Sequence, residues 1–179
     1  RRNHYDLRAW WFHLKEIFSL PHAVQALQFM HETGLMRALI PEWLRIDCLV
    51  VRDFYHRFTV DEHSIIAIQN ALALRDTEDP LLARFAEILS ELESLPILLL
   101  ALLLHDIGKG AGEGRHVEES LALAASAMKR MQVPEEERQS VALLVARHLE
   151  LSTVINSRDP EDPATGRYIA DRVGTVEML

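Results

Sequence analysis

A chain of 179 residues with 49% hydrophobic side chains has the length of one domain and the apolar content for a packed core, which excludes intrinsic disorder. Its formal net charge of −8 argues against a nucleic-acid surface, so no DNA partner is expected. The single cysteine, Cys48, excludes an internal disulfide, fits a reducing cytoplasm and, lying in an apolar run, reads as a small buried residue.

Taken in chain order, the signals are helical almost throughout, with no hairpin turn pair. The opening stretch "RRNHYDLRAWWFHLKE" is charged throughout and lacks the pattern of a secretory signal. Pro21 suits the first turn of "PHAVQALQFMHETG", which Gly34 ends. Thr59 and Glu62 form a capping box for "VDEHSIIAIQNALAL". Asp79-Pro80 opens "PLLARFAEILSEL", and Ser94 with Pro96 opens "LPILLLALLLHD". Pro134 opens "PEEERQSVALLVARHLEL" with acids in its first turn, as the helix dipole prefers, and Asp162-Pro163 opens "PATGRYIADRVG". Seven to nine helices with short links predict an all-α, irregular multi-helix bundle. The helix from Ser94 is apolar on every side and is expected to be the central, enclosed one. Its apolar run, Leu95 to Leu104, is about half the length of a membrane span, so no membrane partner is expected.

Nine histidines divide into two sets. His4, His13, His22 and His31 recur every nine residues, a spacing that alternates sides of a helix and reads as structural or surface. His56 reads as a packing or capping residue. The others sit where ligands belong. His63 shares a helical face with Ile66 and Ala67, and His148 follows the stripe of Val141, Leu144 and Val145. His105-Asp106 ends the buried helix, and His116 follows a glycine loop. Ionisable groups at the centre of a bundle need partners. Imidazoles with a carboxylate suit one or two divalent ions, with Mn, Fe, Ni, Zn and Mg not distinguishable, and Asp106 is placed to bridge to a second ion. "GKGAGEG" is not a phosphate-binding P-loop, since no strand precedes it and no Ser or Thr follows Lys109. Its glycines read as the end of the central helix and a sharp turn at the metal, with Lys109 placed to stabilise phosphoryl charge or to protonate a leaving group.

His63 followed by His105-Asp106 within "HDIGK" resembles the HD superfamily of metal-dependent phosphohydrolases. "LMRALIPEWLRIDCLVVRDFYHRFTVDEHSIIAI", "LLHDIGKGAGEGRHVEES", "VARHLELSTVINSRDPEDPAT" and "VGTVEML" resemble, in that order, the HD domain of the bifunctional uridylyltransferase/uridylyl-removing enzymes. The resemblance implies an HD-domain bundle at residues 21–179, with residues 1–20 a helical lead-in of unassigned role. It implies His63, His105 and Asp106 as core ligands, His116 and His148 as ligands of a second ion, and catalytic roles for Lys109 and Asp106. It also implies a late Asp beyond the "TVE" segment, which the chain ends too early to include. Asp159 and Asp171 are not taken as its replacement. The implied reaction is hydrolysis of the phosphodiester joining UMP to a tyrosine of a PII-type regulatory protein, giving UMP as product. Two alternatives remain open: an HD hydrolase of free nucleotides, cyclic dinucleotides or RNA ends, and a helical regulatory module without catalysis.

Overall fold

The computed structural model describes residues 10–51, 58–112, 114–159 and 161–173. His4, His56 and residues 174–179, all of the "VGTVEML" segment after Val173, lie outside them. Among the described residues there is no β-strand. The helices run in the order α1 (Trp10–Phe18), α2 (Ala23–Glu32), α3 (Leu35–Leu39), α4 (Val60–Ala73), α5 (Ala83–Glu91), α6 (Leu95–Leu104), α7 (His116–Arg130), α8 (Glu135–Arg147), α9 (Glu150–Ser157) and α10 (Pro163–Val173). Short 3-10 turns occupy Pro41–Arg45, Leu74–Asp76 and Lys109–Ala111. The protein is thus the all-α bundle that the sequence predicts.

Helix α6 is the axis of the bundle and packs against α4 and α8, while α7 packs against α8. Leu99, Leu100, Leu103 and Leu104 are fully buried. Each contributes about 1.5–3 kcal/mol, and this apolar packing fixes where the two ionisable residues that follow must lie. The enclosure is incomplete: Leu98 and Leu102 remain half-buried because each faces a cavity. Helix α1 adds Trp11, Leu14 and Phe18 to the same core.

The local signals act much as expected, with shifts at the ends. The Glu62 carboxylate accepts the Thr59 amide at 3.3 Å and completes the start of α4. Asp162 Oδ1 accepts the Ala164 amide at 2.8 Å and caps α10. Pro21 and Pro80 precede their helices in turns instead of opening them. In the second case Asp79 Oδ1 accepts the Leu81 amide at 2.9 Å and shapes a turn before α5. Cys48 is exposed, not buried. Its φ of 55° lies in the left-handed region, and Ile46, at 0% exposure, is the residue of that run that enters the core. The segment read as one helix from Pro134 is two, broken between Arg147 and Glu150.

Candidate metal centre

The break after Arg147 and the end of α6 share one device. His148 Nδ1 donates to the Val145 carbonyl at 2.7 Å, and His105 Nδ1 donates to the Leu102 carbonyl at 2.8 Å. Each ring takes the acceptor that the next helical amide would use, and each helix stops there. The same bond orients the ring. With Nδ1 committed to a backbone carbonyl, Nε2 of both histidines faces inward, the arrangement found behind metal-ligating imidazoles.

Those two Nε2 atoms meet at Asp106, which is 2% exposed. His105 Nε2 lies 3.2 Å from Asp106 Oδ2, His63 Nε2 lies 3.8 Å from the same oxygen, and His148 Nε2 lies 3.6 Å from Oδ1. Lys109 Nζ donates to Oδ2 at 2.7 Å. His63 comes from the first turns of α4. The buried stripe of that helix is Val60, Asp61, Ser64, Ile65 and Ile68, so His63 sits at its edge beside Ala67, half-exposed to a pocket instead of inside the core. His116 is the first residue of α7, its ring centroid 5.9 Å from that of His148.

The loop geometry that delivers His116 depends on Gly108. A Cβ there would lie 2.3 Å from the Ser120 amide nitrogen and 2.7 Å from the His116 carbonyl oxygen. The Gly108 amide donates to Ser120 Oγ at 2.9 Å. The turn after Asp106 therefore lies directly on the α7 backbone. The sequence predicts that these glycines turn the chain. Here φ at Gly108 is an ordinary −92°, and close approach is what demands glycine.

All five residues expected from the sequence come together. The donor atoms of His63, His105 and Asp106 lie within 4.8 Å of one another, as do those of Asp106, His116 and His148. Asp106 belongs to both groups. Asp106 Oδ1 and His148 Nε2 are buried without a hydrogen-bond partner, an expensive pair of orphaned atoms in the absence of a cation. Burial alone would raise the Asp106 carboxyl, but the His105 and His148 rings and the Lys109 ammonium outweigh it and hold the group far below the usual carboxylate range. Burial pushes the His116 imidazole below its ordinary value, which favours the neutral, ligand-ready form. A buried anion ringed by imidazoles, two of them turned by backbone carbonyls, fits one or two divalent ions of mixed N/O preference. Asp159 and Asp171 join neither group: Asp159 Oδ1 accepts the Glu161 amide at 2.9 Å, and Asp171 is exposed on α10.

A third group, His31, Asp47 and Asp61, also meets the geometric requirement, but hydrogen bonding accounts for it. The Trp43 indole donates to His31 Nδ1 at 3.3 Å, which leaves His31 Nε2 to donate to Asp61 Oδ2 at 3.3 Å. Asp61 also accepts the amides of Cys48 at 2.8 Å and Glu62 at 3.0 Å, and Asp47 accepts Arg37 at 2.7 Å. This relay pins the loop before α4 to its first turn, next to His63. Replacing His31 with alanine strands the buried Trp43 donor and removes one Asp61 partner. The expected loss is about 1–3 kcal/mol, read as a lower denaturant midpoint of the metal-free protein. A metal-binding role would instead lower metal content and leave the metal-free midpoint unchanged.

The cluster opens into a pocket of about 470 Å3 lined by Ala67, Leu98, Leu102, Leu144 and Leu149 together with His63, His105, Asp106, Lys109 and His148, while His116 lies outside its lining. No helix among the described residues is long and apolar enough to cross a membrane alone.

Comparison with known proteins agrees with this geometry. The chain is 39% identical over 158 residues to a bifunctional uridylyltransferase/uridylyl-removing enzyme of Gluconobacter oxydans, covering 86% of this chain and 16% of that protein. It is 36% identical over 159 residues to the enzyme of that name from Cereibacter sphaeroides, covering 87% and 17%, and 32% identical over 169 residues to that of Chromobacterium violaceum, covering 92% and 19%. The chain thus spans less than a fifth of the length of these curated relatives. No solved structure matches it. The model of the HD domain family matches residues 60–175, from the first residue of α4 to beyond the end of α10, and the chain belongs to the HD domain family.

Proposed function

We propose that this domain hydrolyses the phosphodiester joining UMP to a tyrosine of a PII-type regulatory protein, releasing UMP in the cytoplasm. The observation that carries the hydrolase reading is Asp106, shared by two ligand groups at the floor of an open pocket. The relatives' name supports removal of a uridylyl group, and the PII tyrosine as its carrier rests on the resemblance of the sequence to that enzyme family.

His63, His105 and Asp106 would hold one divalent ion, and Asp106, His116 and His148 a second. Ions bound there supply an activated water and neutralise phosphoryl charge. Asp106 provides the fixed anionic anchor. His105 and His148 keep Nε2 aimed inward through their Nδ1 bonds to backbone. Lys109, only 16% exposed in its side chain, holds positive charge at the pocket edge, where a non-bridging phosphoryl oxygen would lie. Leu102 and Leu149 give the same pocket an apolar lining. A tyrosyl leaving group has an unperturbed pKa of about 10, so it departs with little acid assistance, and electrostatic stabilisation carries most of the barrier reduction.

Lys109→Met should lower kcat for the phosphodiester by roughly 100-fold, by analogy with loss of one positioned donor, with metal content retained. Steady-state kinetics and elemental analysis of the same preparation check this. A purely structural Lys109 would lower thermal stability and leave kcat within a few-fold. The substrate is tested by incubating the protein and Mn2+ with uridylylated PII and following UMP release and the mass of PII. Stoichiometric release is expected. Hydrolysis of free nucleotides with PII left uridylylated would overturn the assignment.

A further inference from the structure

The first turn of α4, which carries His63, is tied to residues 45–49 by hydrogen bonds. The Val60 amide donates to the Leu49 carbonyl at 3.0 Å. Asp61, 1% exposed, accepts the Cys48 amide at 2.8 Å and His31 Nε2 at 3.3 Å, both on Oδ2. The direction of this chain of bonds is fixed. The Trp43 indole can only donate, so His31 Nδ1 accepts, His31 Nε2 donates, and position 61 must present an acceptor.

Residues 45–49 also reach the other side of the candidate site. A Cβ on Gly110 would lie 3.1 Å from the Arg45 carbonyl oxygen and 3.8 Å from the Leu49 side chain, so this segment packs directly on the turn that follows Asp106 and Lys109. The Arg45 guanidinium pairs with Glu119 of α7 at 2.6 Å. One short segment therefore touches the elements that carry His63, Asp106 and His116. It lies before residue 60, where the match to the HD domain family begins.

We propose that Asp61 is a positioning residue of the metal centre. By fastening residues 45–49 to the start of α4, it sets where His63 stands relative to Asp106, across the 3.8 Å that separates Nε2 from Oδ2. It acts through His63 and is not itself a ligand. The assignment rests on the metal-centre reading.

The test measures Mn2+ affinity by isothermal titration in two backgrounds that each keep one ion: His148→Ala, which leaves the His63 group, and His63→Ala, which leaves the His116 group. Asp61→Ala should weaken binding roughly tenfold in the first background, as loss of an outer partner does, and leave it unchanged in the second. Stoichiometry at saturating Mn2+ stays the same in both. Asp61→Asn keeps an oxygen for the Cys48 amide and for His31 and should restore the affinity. His31→Ala, which leaves the Cys48 bond in place, should show the same selectivity with a smaller loss, and it decides the matter if Asp61→Ala does not fold. Equal weakening in both backgrounds is a general loss of stability and overturns the proposal, as does no weakening in either. Loss of an ion at saturation would make Asp61 a ligand and overturns it too. A folded wild type that binds no Mn2+ refutes the metal-centre reading instead.

Discussion

Asp106→Asn should abolish hydrolysis, with kcat/KM falling by at least about 1000-fold, and should remove metal from both ligand groups at once. The substitution preserves volume and removes the charge. Asp106 is the carboxylate that the two groups share, so one change deletes an anionic ligand from each. The loss exceeds that expected for any single histidine, whose removal leaves the other group complete. The substitution also removes the anionic partner 2.7 Å from the Lys109 ammonium and weakens the metal-free fold by the loss of that ion pair. Isothermal titration with Mn2+ and a denaturant melt of the metal-free protein separate the two effects. If Asp106→Asn retained either high-affinity ion, the shared-ligand arrangement would be wrong.

Gly108→Ala should be nearly as damaging without touching a ligand. Its Cβ would meet the α7 backbone at 2.3 Å and 2.7 Å, distances that no rotamer change relieves because the obstructing atoms are main chain. The turn after Asp106 and the first turns of α7 must separate. Overpacking of this kind costs typically 1–3 kcal/mol, and the bond from the Gly108 amide to Ser120 Oγ is lost with it. His116 moves with α7, so the second ligand group opens. The expected result is a lower melting temperature together with loss of one metal equivalent, while His63 and His105 still bind the other. Wild-type stability and stoichiometry in Gly108→Ala would show that the contact is not needed.

Much of this was legible in the sequence. Thr59, Glu62, Pro96 and the Asp162-Pro163 pair mark helix starts by local chemistry, and local chemistry is what sequence carries directly. The leucine run before His105 told that this histidine and Asp106 would lie deep. The break at His148 was not legible, because no glycine or proline marks it. A histidine side chain ends the helix by taking a carbonyl that the main chain would otherwise use. The His31 relay was hidden for a different reason: its acceptor Asp61 and donor Trp43 are set by tertiary packing. The apolar neighbourhood of Cys48 in sequence predicts burial, whereas in the fold the residue adopts a left-handed φ of 55° and is exposed. At position 108 the sequence predicts a need for backbone freedom, whereas the structure requires glycine for proximity to the neighbouring helix α7.

The central claim is that one carboxylate organises two ions, and counting ions in purified protein tests it most directly. Protein prepared without chelators or histidine tags and reconstituted with Mn2+ should hold two equivalents by elemental analysis. His63→Ala and His148→Ala should each hold one, and Asp106→Asn none. Two equivalents retained in Asp106→Asn, or none in folded, reconstituted wild type, would contradict the account.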